Sequence, residues 1–168
     1  MKMNRTLTSA VLTALLVTVV FGSQGSKPNF TGTWVLDKTH SEGLPPGTEQ
    51  TMTISQTGDQ LNLENKIRTS GGSISIFDTF IINGKELEVT EKRNDDELKG
   101  MRVSKWLTDA NGFGSSEELT AVGGDGLPVI QKITRKWLMA PDGKTFTVEA
   151  DITSTAGVQR TKRIFRKQ

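Results

Sequence analysis

From residue 27 onward the chain alternates between apolar and polar positions. Met52 and Ile54 alternate with Thr51, Thr53 and Ser55, and Leu61 and Leu63 with Asn62 and Glu64. Leu87 and Val89 alternate with Glu86, Glu88 and Thr90. Phe146, Val148, Ala150 and Ile152 alternate with Thr147, Glu149 and Asp151. A period of two with one wet face predicts antiparallel strands buried on one side. Turn chemistry separates the runs: Gly58-Asp59, Gly71-Gly72, Asn83-Gly84, Asn111-Gly112, Gly123 to Gly126 and Asp142-Gly143. Ten strands follow, near 31–37, 48–57, 60–68, 73–82, 85–93, 101–108, 115–122, 129–140, 144–153 and 157–167. No strand–helix–strand spacing occurs, so a parallel sheet is not expected. Consecutive hairpins favour a meander, and closure removes the exposed edges of so many twisted strands. The expected fold is all-β, an antiparallel up-and-down β-barrel of about 8–10 strands. A two-sheet β-sandwich is the alternative.

The first 25 residues have another pattern. Lys2 and Arg5 precede an uncharged run from Leu7 to Phe21, and the small residues Gly22, Ser23, Gly25 and Ser26 follow. This order predicts a secretory signal peptide, cleaved between Gly22 and Ser26. The run is shorter than the ~20 residues of a spanning helix, which disfavours the competing reading, a retained anchor. The expected organisation is a signal peptide over 1–25 and one barrel domain over 27–168, secreted or periplasmic, with no membrane span after cleavage.

Composition narrows the chemistry. The chain has no Cys, which removes disulfides, thiolate metal sites, cysteine nucleophiles and a lipoprotein anchor. It has one His, so multi-histidine metal sites are excluded. Without Lys2 and Arg5, basic and acidic residues balance at 19 each, which argues against a nucleic-acid partner. The balance is uneven along the chain: residues 131–168 carry nine Lys or Arg against three acids. That basic end either pairs with acids on the other face of the domain or attracts an anionic ligand.

Catalytic signatures fail individually. His40 lies in a polar loop, and no Gly-x-Ser-x-Gly elbow is present. The glycines at 123–126 lack the Lys-Ser/Thr pair of a phosphate loop. Residues 94–97 do not match a calcium loop. Parity assigns the carboxylates to wet strand faces. Asp78 is the exception, an acid on a face with Ile74, Ile76, Phe80 and Ile82. A non-enzyme without cofactor or metal is expected. Asn29-Phe30-Thr31 matches a glycosylation sequon whose use depends on the source cell.

The first strand carries Gly32-Thr33-Trp34, and the last carries Thr161-Lys162-Arg163-Ile164-Phe165. Together these ends resemble the calycins, the superfamily of lipocalins and fatty-acid-binding proteins, over about 45 residues. The resemblance implies a lipocalin-like barrel with a small hydrophobic or anionic amphipathic ligand inside. It implies that Gly32 shapes the entry of β1, that Trp34 closes the base, and that a base such as Arg163 packs on its ring. In the fatty-acid-binding branch a carboxylate is held by an Arg on the antepenultimate strand and an Arg-x-Tyr on the last. The matching positions are Arg135, Arg163 and Phe165, and Phe165 lacks the hydroxyl. The interval from Leu36 to Thr51, with Pro45-Pro46, is too short for that branch's lid helices.

Parity places Arg135 on one face with Ile133, Trp137 and Met139, while Lys132 and Lys136 mark the wetter face. Three outcomes stay open. In the leading one, a monomeric barrel binds its ligand through Arg135 and Arg163, with Trp137 and Phe165 lining the approach. In the second, a filled barrel packed with Trp34, Trp106, Trp137, Phe77 and Phe80 is an extracellular interaction or inhibitor scaffold; there Arg163 stacks on Trp34 and Arg135 pairs with an acid. In the third, interior carboxylates work as acid and base.

Overall fold

The computed structural model describes residues 27–168, apart from residues 95, 109–110, 123–125 and 156 and the side chains of residues 96 and 121. The expected signal peptide, residues 1–25, lies outside the described residues. Ten strands follow one another: β1 (Gly32–Leu36), β2 (Glu49–Thr57), β3 (Gln60–Thr69), β4 (Gly72–Ile81), β5 (Glu86–Arg93), β6 (Asp96–Trp106), β7 (Gly112–Val122), β8 (Pro128–Met139), β9 (Thr145–Ser154) and β10 (Gly157–Lys167). Each pairs antiparallel with its neighbours in sequence, and β1 also pairs with β10, which closes the barrel. The meander barrel is thus present, with ten strands, and the sandwich is excluded. Closure leaves no full edge for another chain to extend.

Burial follows the alternation. In β2 Gln50, Met52 and Ile54 are buried, while Thr53 and Ser55 are exposed. In β9 Phe146, Val148 and Ala150 are buried, between exposed or half-buried neighbours. Gly58, Gly84 and Gly143 sit in hairpins with φ of 58°, 75° and 65°, which glycine adopts without steric cost.

The barrel wall is thin at two places. β1 pairs with β10 only from Trp34–Lys167 to Leu36–Phe165. Above that point the loop 37–48 continues along β10. The Asp37 amide donates to the Ile164 carbonyl at 2.8 Å, and the Glu42 amide to the Lys162 carbonyl at 2.7 Å. The Ile164 amide donates to Ser41 Oγ at 2.9 Å. Leu44 of the same loop packs on the core. The second place is the β4–β5 seam, where the ladder contains only Ile76–Arg93 and Phe77–Lys92.

The base of the barrel is filled. Phe30, Trp34, Phe80, Phe113, Trp137, Phe146 and Phe165 are all buried in one cluster with Met52, Ile54, Leu61 and Met139. Trp137 stacks on Phe113 at 5.4 Å and on Phe146 at 5.8 Å, and Phe146 stacks on Phe165 at 4.9 Å. Phe30, just before β1, corks the end, edge-on to Phe113, Trp137 and Phe146. Gln56 holds the cork: it accepts from the Phe30 amide at 2.9 Å and donates to the Pro28 carbonyl at 3.1 Å. Trp34 Nε1 donates to the Phe30 carbonyl at 2.8 Å.

Candidate functional site: an ionic belt and one unpaired guanidinium

Above the aromatic floor the inward positions become polar. Arg102 of β6 lies over the Phe80 ring at 4.2 Å. Its Nη1 and Nη2 donate to Asp78 Oδ1 and Oδ2 at 2.8 and 2.7 Å, a two-pronged pair reaching from β6 to β4. Its Nε donates to Glu117 Oε2 of β7 at 2.9 Å. Nη1 also donates to the Thr79 carbonyl at 2.8 Å, so this side chain caps the β4 side of the open seam. Glu117 in turn pairs with Arg135 of β8. Arg135 lies 3.9 Å from Glu91 of β5, and Glu91 pairs with Arg93. The belt therefore runs β4–β6–β7–β8–β5. Asp78, Glu91, Arg102 and Glu117 are each less than 8% exposed.

This corrects the expectation that the acids, Asp78 aside, lie on wet faces. Glu91 and Glu117 point inward, on the same faces as Val89 and Leu119. Carboxylate oxygens of Asp78, Glu91 and Glu117 come within 4.8 Å of one another. The guanidiniums of Arg102 and Arg135 already lie among them, which meets their charge as a bound cation would. Burial raises the Asp78 pKa despite Arg102. Burial also lowers Arg135, to about 10, against the opposing charge of Glu91.

The four residues expected to hold a ligand have different fates. Arg135 is inward, as parity required, but its charge is taken by Glu117 and Glu91. Trp137 and Phe165 are buried in the floor at 2% and 0% exposure, so they pack the base rather than line an opening. Arg163 is inward on β10 and stands apart from the belt. Its Nη1 donates to Gln50 Oε1 at 2.9 Å, and Gln50 Nε2 donates to Asn65 Oδ1 at 2.9 Å. Its Nε is buried without a partner. No carboxylate pairs with it among the described residues, and burial alone lowers its pKa.

At the base, Gly32 has φ 144°, a conformation that L side chains rarely adopt, and an added Cβ would lie 2.8 Å from Lys167 Cε. Trp34 is fully buried, and the cation over its ring is Lys167 at 5.2 Å. Lys167 thus takes the place expected for Arg163, because Arg163 extends toward β2 instead. His40 is exposed, with Nδ1 2.9 Å from Asp37 Oδ2, and Asp37 also pairs with Arg166. Of the aromatics proposed for a filled core, Phe80 is buried and Trp106 packs on the core, whereas Phe77 points outward at 47% exposure.

Arg102, Glu117 and Glu91 were not anticipated, although a parity signal for them was present. Leu87, Val89 and Glu91 share one face of β5, and Phe113, Glu117 and Leu119 share one face of β7.

No protein-family model matches the sequence, and no curated protein is significantly similar to it. A structural similarity exists to zebrafish ileal bile acid-binding protein in complex with cholic acid. The identity is 16% and the TM-score 0.46, over 83% of this chain and 98% of that one.

Proposed function

We propose that this is an exported, monomeric, calycin-type barrel that binds one small anionic amphiphile and catalyses no reaction. The observation that carries this reading is the inward Arg163 guanidinium without a countercharge. A partly buried guanidinium whose hydrogen-bond partner is the neutral Gln50 and whose Nε has none is poorly compensated, and a bound anion supplies the missing countercharge. The interior charge agrees. Among the described side chains of the belt and its surroundings, Arg93, Arg102, Arg135 and Arg163 face Asp78, Glu91 and Glu117, an excess of one positive charge. The three acids are bound to guanidiniums, which disfavours acid–base work. Export rests on the pattern of residues 1–25.

Octanoate and octanol separate charge from apolar contact. Wild type should bind octanoate at least ~10-fold more tightly than octanol, from one charge-assisted hydrogen bond or more. Arg163→Gln should remove that preference while keeping the wild-type circular dichroism spectrum. An undiminished preference in Arg163→Gln, or no binding of either molecule to wild type, overturns the proposal.

The filled base favours a second reading, a rigid scaffold for a protein partner. Absence of octanoate binding is the outcome that would favour it.

A further inference from the structure

The belt fills one side of the barrel only. On the β5–β8 side, Arg135 reaches Glu91 across the two intervening strands, and Arg93 Nη1 lies 3.5 Å from Gln131 Oε1 of β8. At the level of these contacts Leu98, Leu119 and Ile133 form a second buried cluster with Val89 and Ile152 packed on it. On this side ion pairs and a buried aliphatic cluster interleave above the aromatic floor.

The other side, between β2–β4 and β9–β10, is lined differently. Gln50, Asn65 and Arg163 lie just above the floor. Toward the mouth, Ile67 of β3 and Ile74 and Ile76 of β4 face inward by parity yet are only half-buried. Inward aliphatic side chains that still meet solvent mark an opening that the core does not fill. The opening is shallow: β3 rises about 13 Å from Asn65 to Thr69. Arg163 stands two residues from Phe165, so an anion bound to it rests on the aromatic floor with its apolar part toward the mouth.

We propose that the ionic staple divides the barrel into a packed half and a ligand half, and that the ligand half accepts only a short-chain or compact monoanion, about the length of octanoate. The inference rests on the anionic-ligand reading above and adds a limit of size and a direction of entry. A longer chain leaves its outer methylenes in water, where they contribute nothing to affinity. Ile67, Ile74 and Ile76 are then the residues that set ligand length and width.

A chain-length series tests this: butanoate, hexanoate, octanoate, dodecanoate and palmitate, each below its critical micelle concentration, by titration calorimetry on the protein of residues 27–168. Affinity should rise about fourfold per added methylene up to octanoate, the value for full burial of a methylene group, and then level off. A rise continuing at that rate through palmitate overturns the size limit and leaves the anionic-ligand reading standing. Binding by no member of the series overturns both. The Ile74→Trp variant places bulk in the ligand half at the mouth end of β4, where the residue opposite is Ile67 rather than a member of the belt. It should weaken octanoate more than ~10-fold at an unchanged melting temperature. Unchanged affinity in that variant shows that the ligand lies elsewhere and overturns the division.

Discussion

Asp78 shows how a buried charge is held in this molecule and how it should respond to pH. It sits between β4 and the Arg102 fork, where burial raises its pKa above 3.8, outweighing the lowering by Arg102. Between 3.8 and that raised value the native protein holds a proton that the unfolded chain has released. The stability this group contributes is therefore full below 3.8 and declines as pH rises through the native value. Asp78→Asn should remove the decline, so its urea midpoint should fall less than that of wild type between about pH 4 and pH 7. Parallel pH profiles in the two proteins would contradict the assignment. At this scale the sequence was legible where polar residues interrupt a strongly apolar face. Arg135 was placed by Ile133, Trp137 and Met139, and Asp78 by four apolar neighbours of the same parity. Glu91 and Glu117 were hidden because acids also occupy outward positions of their strands: Glu118 follows Glu117 on β7, and Glu86 and Glu88 lie on the outward face of β5. Alternation identifies a face only when the two sides differ in polarity, and in these strands both carry acids.

Among the elements, the segment before β1 does more than its composition suggests. Residues 27–30 make no strand, yet they fix the base. Lys27 Nζ meets Asp59 Oδ1 at 2.6 Å, Trp106 Nε1 donates to the same oxygen at 2.9 Å, and Gln56 clamps the Phe30 backbone. Phe30 is fully buried among three aromatic rings of the floor, those of Phe113, Trp137 and Phe146, and the Trp34 indole bonds its carbonyl. Phe30→Ala should cost about 3–5 kcal/mol, the range for removal of a buried aromatic side chain, read as a lower midpoint in chemical denaturation. A midpoint within error of wild type would mean that the cork is dispensable. The ten strands and their turns were readable, since turn residues and period-two runs are local signals. The cork was not, because its partners Gln56, Asp59 and Trp106 are 26 to 79 residues away in sequence and no local rule selects them. The Lys167 contact with Trp34 was missed for a related reason. Arg163 and Lys167 share a strand face, and only the register of β1 on β10, with Trp34 opposite Lys167, distinguishes them.

Over the whole molecule, three interior layers follow from one arrangement of side chains. Aromatic rings fill the base, an ionic belt crosses β4 to β8 above them, and the remaining half holds a guanidinium with no acid. The belt is balanced within itself: Arg102 and Arg135 lie between Asp78, Glu117 and Glu91, and Arg93 neutralises the last. Arg163 is the residual charge, and the account of function depends on it. The most direct test observes its Nε–H, the donor that lacks a partner. In a nitrogen–proton correlation spectrum of arginine side chains, one Nε resonance should be absent from Arg163→Gln and thereby assigned to Arg163. On addition of octanoate to wild type that resonance should shift downfield, as the N–H acquires a carboxylate, while the belt resonances of Arg102 and Arg135 stay in place. A spectrum in which the Arg163 signal is unmoved at saturating octanoate, or in which the belt arginines move instead, would contradict the account.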